Sequence, residues 1–225
     1  MNSDQTTKDK EFVEAVLLKL ETIYGKNAKN YASLIETVRT MKGSDSLFKE
    51  ALYFSDNRIP DFIVELYFAS YFHNRNYSVE IVSRSDQEKT PDLLISNETL
   101  RGYVEIKHIR KKHEGPKSVI PGESTKMKIL EKYGDPVRDE RYCRDKILEG
   151  FHQIQSYSGL KNTDVMVVAI WNSDEDLDEL DLKFTISNLI EERNEFENIP
   201  NQKWVVFGNP WYSLRENTQF HIFQF

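Results

Sequence analysis

The chain has 225 residues, with 30 Lys and Arg against 37 Asp and Glu and a formal net charge of −7. Its 39% hydrophobic and 12% aromatic content excludes a disordered or fibrous chain and favours an ordinary globular domain. The single cysteine, Cys143, excludes both an internal disulfide and a cysteine-based zinc cluster, and it fits a reducing compartment.

The first quarter of the chain predicts helices. Apolar residues recur there at helical spacing, glycines follow the first two helices, and Pro60 precedes the fourth. The expected helices cover residues 12–23, 31–41, 47–54 and 61–73. Residues 1–58 therefore form a helical extension to a main domain over residues 59–225.

The pattern then changes to strands separated by two helices. The expected strands cover residues 77–82, 91–95, 103–109, 164–171, 204–208 and 220–225. The expected helices cover residues 139–157 and 182–193, and residues 112–136 form a loop with three Pro and three Gly. This order predicts an α/β (α+β) fold with a mixed central sheet flanked by helices.

Charge is unevenly distributed along the chain. The segment from Arg110 to Lys146 carries 11 Lys and Arg against 7 Asp and Glu, although the whole protein is acidic. Its densest part, Arg110-Lys111-Lys112, follows the third strand. We expect these three side chains to contact phosphates if the chain binds nucleic acid, and to form a solvated strand end if it does not.

A carboxylate and a lysine lie inside the otherwise apolar third strand. Glu105 and Lys107 share one face of it, because side chains alternate along a strand, and Ile106 points to the other. Burying these charges costs free energy unless they are paired or bind a metal. The short connection between strands brings Asp92 near Glu105. Two carboxylates on adjacent strands form an oxygen site suited to Mg²⁺ or Mn²⁺.

Glu65, on the helix before the first strand, is another carboxylate among apolar residues. Its neighbours at helical spacing include Phe62, Phe68 and Phe72. A carboxylate on such a face is not expected to be buried without a partner. If this helix packs beside the strand hairpin, Glu65 becomes a third acid near the metal.

This ordered set resembles the PD-(D/E)XK nuclease superfamily, whose restriction-endonuclease-like core has the element order α-β-β-β-α-β. The matching residues are Pro91, Asp92, Glu105 and Lys107, with Glu65 in the place of the family's helix acid. The resemblance covers about half of the chain, from Pro60 to Trp171.

A further match lies on the helix after the loop. The stretch from Gln153 to Tyr157 resembles the Gln-x-x-x-Tyr signature of the RecB-type branch of that superfamily. The resemblance implies that Gln153 supports the catalytic site and that Tyr157 contacts nucleic acid. Gln155 competes for the role of Gln153, and the bland alternative is that both residues of the signature are surface residues.

The resemblance implies a hydrolase that cleaves phosphodiester bonds with Mg²⁺ or Mn²⁺. DNA is the expected substrate, and the choice between DNA and RNA stays open. Asp92, Glu105 and the Ile106 backbone carbonyl are expected to bind the ion, with Glu65 assisting through water or through a second ion. Lys107 is expected to orient the attacking water and to stabilise developing negative charge. The choice between one and two ions stays open.

Three alternatives stay open beside this interpretation. The carboxylates and the lysine can form a structural ion pair, in a non-catalytic nucleic-acid-binding or protein-interaction module that keeps the nuclease fold. The chain can also be one subunit of a restriction, repair or phage-defence system, or act as a homodimer.

His108 faces away from Glu105 and is expected to be a packing or surface histidine. The sequence contains no signal-peptide pattern and no membrane-spanning run, so a cytoplasmic protein is expected.

Overall fold

The computed structural model describes residues 3–85, 87–110, 136–173, 184–189, 201–208 and 221–224. Lys111, Lys112 and the rest of the expected loop up to residue 135 lie outside the described residues. So do parts of the helix expected over 182–193, of which residues 184–189 are described and helical.

Helices dominate the N-terminal part of the chain. Four α-helices, α1 to α4, span Ser3–Tyr24, Ala32–Val38, Ser44–Tyr53 and Ile59–His73. Single 3₁₀ segments at Gly25–Tyr31 and Asp56–Arg58 connect α1 to α2 and α3 to α4. Gly25 follows α1 with a φ of 57°, a left-handed conformation in which glycine is unstrained. None of the described helices is both long enough and apolar enough to cross a membrane.

Six strands of the described chain form one mixed sheet in the spatial order β1-β2-β3-β4-β5-β6. The strands span Ser78–Ile81, Leu93–Ser96, Arg101–Ile109, Val165–Asn172, Lys203–Gly208 and His221–Gln224. Strands β1, β2 and β3 are antiparallel neighbours, β3, β4 and β5 run parallel, and β6 is antiparallel to β5. The long helix α5, Pro136–Gln155, connects to β4. The expected mixed α/β sheet flanked by helices is confirmed.

Helices cover both faces of this sheet. One core combines α1 to α4 with side chains such as Val104 and Val167, and the N-terminal helices share it with α4. The other core combines α5 with side chains such as Tyr103 and Val168. All eight residues of β4 are buried, as expected for a central parallel strand with both faces covered.

Strand β3 is longer than its neighbour β2, and this difference leaves an open edge of β3 at which the candidate site lies. The ladder between them ends at the pair Leu93 and Val104, so β3 continues past the end of β2. Pro91 and Asp92 therefore precede β2, and the expectation that they begin this strand is wrong. The reason is that Asp92 uses its side chain as the next acceptor, since Ile106 N–H donates to Asp92 Oδ2 at 2.7 Å. The second half of β3 consequently has one edge without a neighbouring strand among the described residues.

Candidate active site

A cavity of about 280 Å³ opens at this edge of β3, between α4 and α5. Most of its lining is charged, and acids outnumber bases. The acids are Asp61, Glu65, Asp92, Glu105 and Glu149, the bases are Arg84, Lys107 and Lys146, and the other lining residues are Val64, Ile106, His108 and Tyr142. The structure thus brings together the predicted residues Glu65, Asp92, Glu105 and Lys107 with the backbone of Ile106.

Asp92 is fixed by two hydrogen bonds to the backbone of β3. Its N–H donates to Val104 O at 2.9 Å, while its carboxylate accepts from Ile106 N–H. Within a strand the N–H and C=O of one residue point to the same edge. The Ile106 carbonyl therefore lies on the open edge that Asp92 occupies, where sequence analysis expected a backbone ligand.

Glu105 and Lys107 form a buried pair on the α5 side of β3. Lys107 Nζ lies 2.9 Å from Glu105 Oε1, and the two side chains are 11% and 5% exposed. Gln153 of α5 completes the arrangement, since its Nε2 donates to Glu105 Oε2 at 2.7 Å and to Thr90 O at 3.1 Å. The prediction that Glu105 and Lys107 share a face is confirmed.

Among the described residues, three acceptors lie within reach of the Lys107 ammonium group. Besides Glu105, they are Glu149 Oε1 at 3.2 Å and Gln153 Oε1 at 3.5 Å. A lysine ammonium has three N–H donors, so this set matches its donor capacity. Burial lowers the pKa of Lys107, but Glu105 and then Glu149 outweigh that effect and raise the pKa above its usual value. Lys107 therefore stays charged inside the cavity.

Glu65 enters the cavity from α4 and carries a cationic partner. Arg84, in the loop between β1 and β2, donates from Nη2 to Glu65 Oε1 at 2.8 Å. Its Nη1 donates to Glu50 Oε2 of α3 at 2.9 Å. Glu65 is therefore buried on the aromatic helix face with a partner, as expected, and the partner is an arginine from a loop.

Burial raises the pKa values of all three acids of the predicted set, and the charge of Asp92 raises those of the other two further. Burial, followed by the charge of Asp92, raises the pKa of Glu105 to about 9 and that of Glu65 to about 8. Burial also raises the pKa of Asp92, against the hydrogen bond from Ile106. Closely packed carboxylates of this kind hold protons until another positive charge compensates them.

Two residues predicted to contact nucleic acid, Arg110 and Tyr157, do not line the cavity. Arg110 is bound by α4 and by the 3₁₀ segment before it, since Nη1 donates to Asn57 O at 2.7 Å and Nη2 contacts Asp61. Tyr157 packs its ring edge-on against Tyr103 with centroids 5.1 Å apart, and it does not line the cavity. Neither residue is presented to the cavity as a phosphate or base contact.

His108 combines packing with a place in the cavity wall. Its side chain is 9% exposed, Nδ1 lies 2.9 Å from Asp61 Oδ1, and Nε2 lies 2.8 Å from Ser173 Oγ. It points to the α4 face, as alternation along β3 predicted. It nevertheless lines the same cavity, because that cavity wraps around the open edge of β3 and reaches both faces.

Sequence analysis missed several residues of the cavity wall. On α5, Tyr142, Lys146 and Glu149 precede Gln153 at intervals of four, three and four residues, which places all four on one helix face. Extending the helical period back from Gln153 would have found them. Arg84 has no comparable signal, because the loop that holds it has no regular period.

Asp92, Glu105 and the Ile106 carbonyl supply hard oxygen donors of the kind that Mg²⁺ and Mn²⁺ prefer. Within the described ranges, no group of three or more His, Cys, Asp or Glu side chains is arranged to hold a metal ion. Any ion at this position would thus rely on two carboxylates and on backbone or water oxygens, as is usual for magnesium.

Comparisons with protein-family models, with curated proteins and with solved structures found no match to this chain. The chemistry and geometry of the cavity are therefore the basis for inferring a function.

Proposed function

We propose that this protein is a metal-dependent nuclease that hydrolyses phosphodiester bonds, with DNA as the expected substrate. The observation that carries the proposal is the arrangement at the open edge of β3. Asp92 is fixed beside the backbone of Ile106, and Glu105 is bound by both Lys107 and Gln153. The set joins two carboxylates, a charged lysine and an amide in one cavity.

The donor set fits one divalent cation. Asp92, Glu105 and the Ile106 carbonyl would hold it, and the raised pKa values of both acids indicate negative charge that is under-compensated. A bound divalent ion would replace the protons that these carboxylates otherwise retain. When bound, such an ion polarises a phosphoryl oxygen and lowers the pKa of its water ligand.

The chain's own residues supply the other requirements of hydrolysis. Lys107 is charged, and its Nζ lies beside Glu105, so it is placed to orient water and to stabilise negative charge on the phosphate. Gln153 fixes the orientation of Glu105 and contacts Lys107. Support of this kind around a ligand residue commonly affects metal affinity and activity.

The architecture gives further support. Helix α4, strands β1 to β3, helix α5 and strand β4 follow the order of the restriction-endonuclease-like core, with β1 to β3 antiparallel and β4 parallel to β3. We therefore propose that this part of the chain has that fold. Glu65 lies on α4, Asp92 directly before β2, and Glu105 and Lys107 on β3, which is the chain order in which that superfamily carries its own acids and lysine.

Cleavage of single- and double-stranded DNA and of RNA, with Mg²⁺ or Mn²⁺ and with EDTA, tests the proposal. We expect ion-dependent cleavage that Asp92→Asn and Lys107→Met each reduce at least about 100-fold. Lys42→Met is the matched control, because Lys42 is an exposed lysine that pairs with Glu80 outside the cavity. Equal activity in Lys107→Met and the wild type would contradict the proposed site. Ion binding without cleavage of any substrate would favour the non-catalytic module.

A further inference from the structure

Arg84 lies in the cavity wall and is held by carboxylates of two different helices. Its two terminal nitrogens lie 2.8 Å from Glu65 of α4 and 2.9 Å from Glu50 of α3. The Glu65 side chain is 11% exposed, whereas those of Arg84 and Glu50 are 38% and 36% exposed. The guanidinium group thus extends from the protein surface to a buried acid, with one fixed contact at each end.

This contact divides the buried acids of the cavity into two groups. Asp92 and Glu105 lie at the open edge of β3, where one accepts a backbone N–H and the other binds Lys107. Glu65 instead faces a guanidinium that is fixed from its other end. A divalent ion that used Glu65 as a ligand would have to displace Arg84 or lie beside it, and like charges at such separations repel each other strongly.

We propose that Arg84 takes the place of a second metal ion, so that the cavity binds a single divalent ion at Asp92 and Glu105. This inference rests on the proposed function and answers a question that the sequence left open. In it, Glu65 is not a metal ligand but a positioning residue that holds Arg84. Arginine has more N–H donors than the two contacts that Arg84 makes with described residues, so the remaining donors could bind a phosphate oxygen of the substrate.

The same geometry gives α3 a role in the site. Glu50 belongs to the N-terminal helices and holds the outer nitrogen of Arg84 at the cavity entrance. The expected helical extension would then contribute to the arrangement of charge in the cavity as well as to the hydrophobic core. Glu50 is a positioning residue in this account, because it acts only through Arg84.

Calorimetric titration of the full chain with Mn²⁺ tests the inference without measuring activity. We expect one ion in the wild type and two in Arg84→Gln, because that variant frees Glu65 to become a ligand. The double variant Arg84→Gln with Glu65→Gln should return to one ion, since the freed carboxylate is removed. Glu50→Gln should weaken the hold on Arg84 and permit a second ion of lower affinity than in Arg84→Gln.

Arg39→Gln is the matched control, because it removes an exposed arginine that pairs with Glu36 away from the cavity. It should bind one ion, as the wild type does. Two ions in the wild type, or one ion in a folded Arg84→Gln variant, would overturn the inference and leave the proposed nuclease site intact. If Arg84→Gln does not fold, the wild-type stoichiometry and Glu50→Gln decide the question. No Mn²⁺ uptake by the wild type would contradict the proposed function itself, and the inference with it.

Discussion

Replacing Glu105 by Gln should change how the stability of the metal-free protein depends on pH. Burial and the nearby Asp92 raise the pKa of Glu105 to about 9, whereas a carboxyl of an unfolded chain titrates near its ordinary value. Between these two values the folded protein retains a proton that the unfolded chain has released. The retained proton on Glu105 therefore stabilises the folded protein fully at low pH, and this stabilisation is lost as the pH rises through this window.

The size of the effect follows from proton linkage. One proton of difference changes the free energy of unfolding by about 1.4 kcal/mol per pH unit. Glu105→Gln removes this titrating group, so its stability does not fall with pH in this way. Between pH 5.5 and 7.5 its free energy of unfolding should therefore rise by up to about 3 kcal/mol relative to that of the wild type. Urea denaturation in EDTA at three pH values in this range would measure the difference between the two slopes.

A carboxylate outside the cavity provides the control for this experiment. Glu36→Gln removes an acid whose side chain is 56% exposed, and it should reproduce the wild-type slope. Saturating Mn²⁺ should stabilise the wild type at pH 7.5 and should not stabilise Glu105→Gln to the same extent. Parallel slopes for the wild type and Glu105→Gln in EDTA would refute the interpretation of this acid as under-compensated.

Three further substitutions test α5 and the segment directly after it. Gly150→Ala places a methyl group 2.8 Å from a Val168 methyl, so unfolding should become easier by about 1–3 kcal/mol in chemical denaturation, and an unchanged midpoint would contradict this. Gln153→Ala removes the hydrogen bond to Glu105 and should lower cleavage about 10- to 100-fold with little change in melting temperature, whereas full activity would exclude a supporting role. Tyr157→Phe should leave nucleic-acid affinity unchanged, because the ring packs against a neighbouring tyrosine, and a large loss in a filter-binding assay would restore the predicted contact.

Side-chain alternation and residue chemistry made the centre of the site predictable. A strand with Glu105 and Lys107 on one face has few ways to bury both, and the observed pair with support from Gln153 is one of them. The short hairpin before β3 similarly requires that Asp92 lie near Glu105. These relations are local or nearly local in the chain, so period and loop length are sufficient to predict them.

The periphery of the site depends on contacts that no local pattern encodes. Arg84 reaches two helices from a loop without regular period, and Arg110 is drawn to Asp61 of α4 although it belongs to a basic run. The place of His108 depends on how far β3 extends past β2. Such features follow from the packing of elements that are distant in sequence, so the sequence alone did not predict that Arg110 would pair with Asp61.

The location of a bound divalent ion would decide whether the cavity is a metal-dependent site. Crystals grown with Mn²⁺ would reveal it by anomalous scattering. We expect one strong peak within coordination distance of Asp92, Glu105 and the Ile106 carbonyl, with Lys107 on the same side of β3 as Glu105. A map without a peak at the open edge of β3, from crystals that contain Mn²⁺ at saturating concentration, would contradict the account.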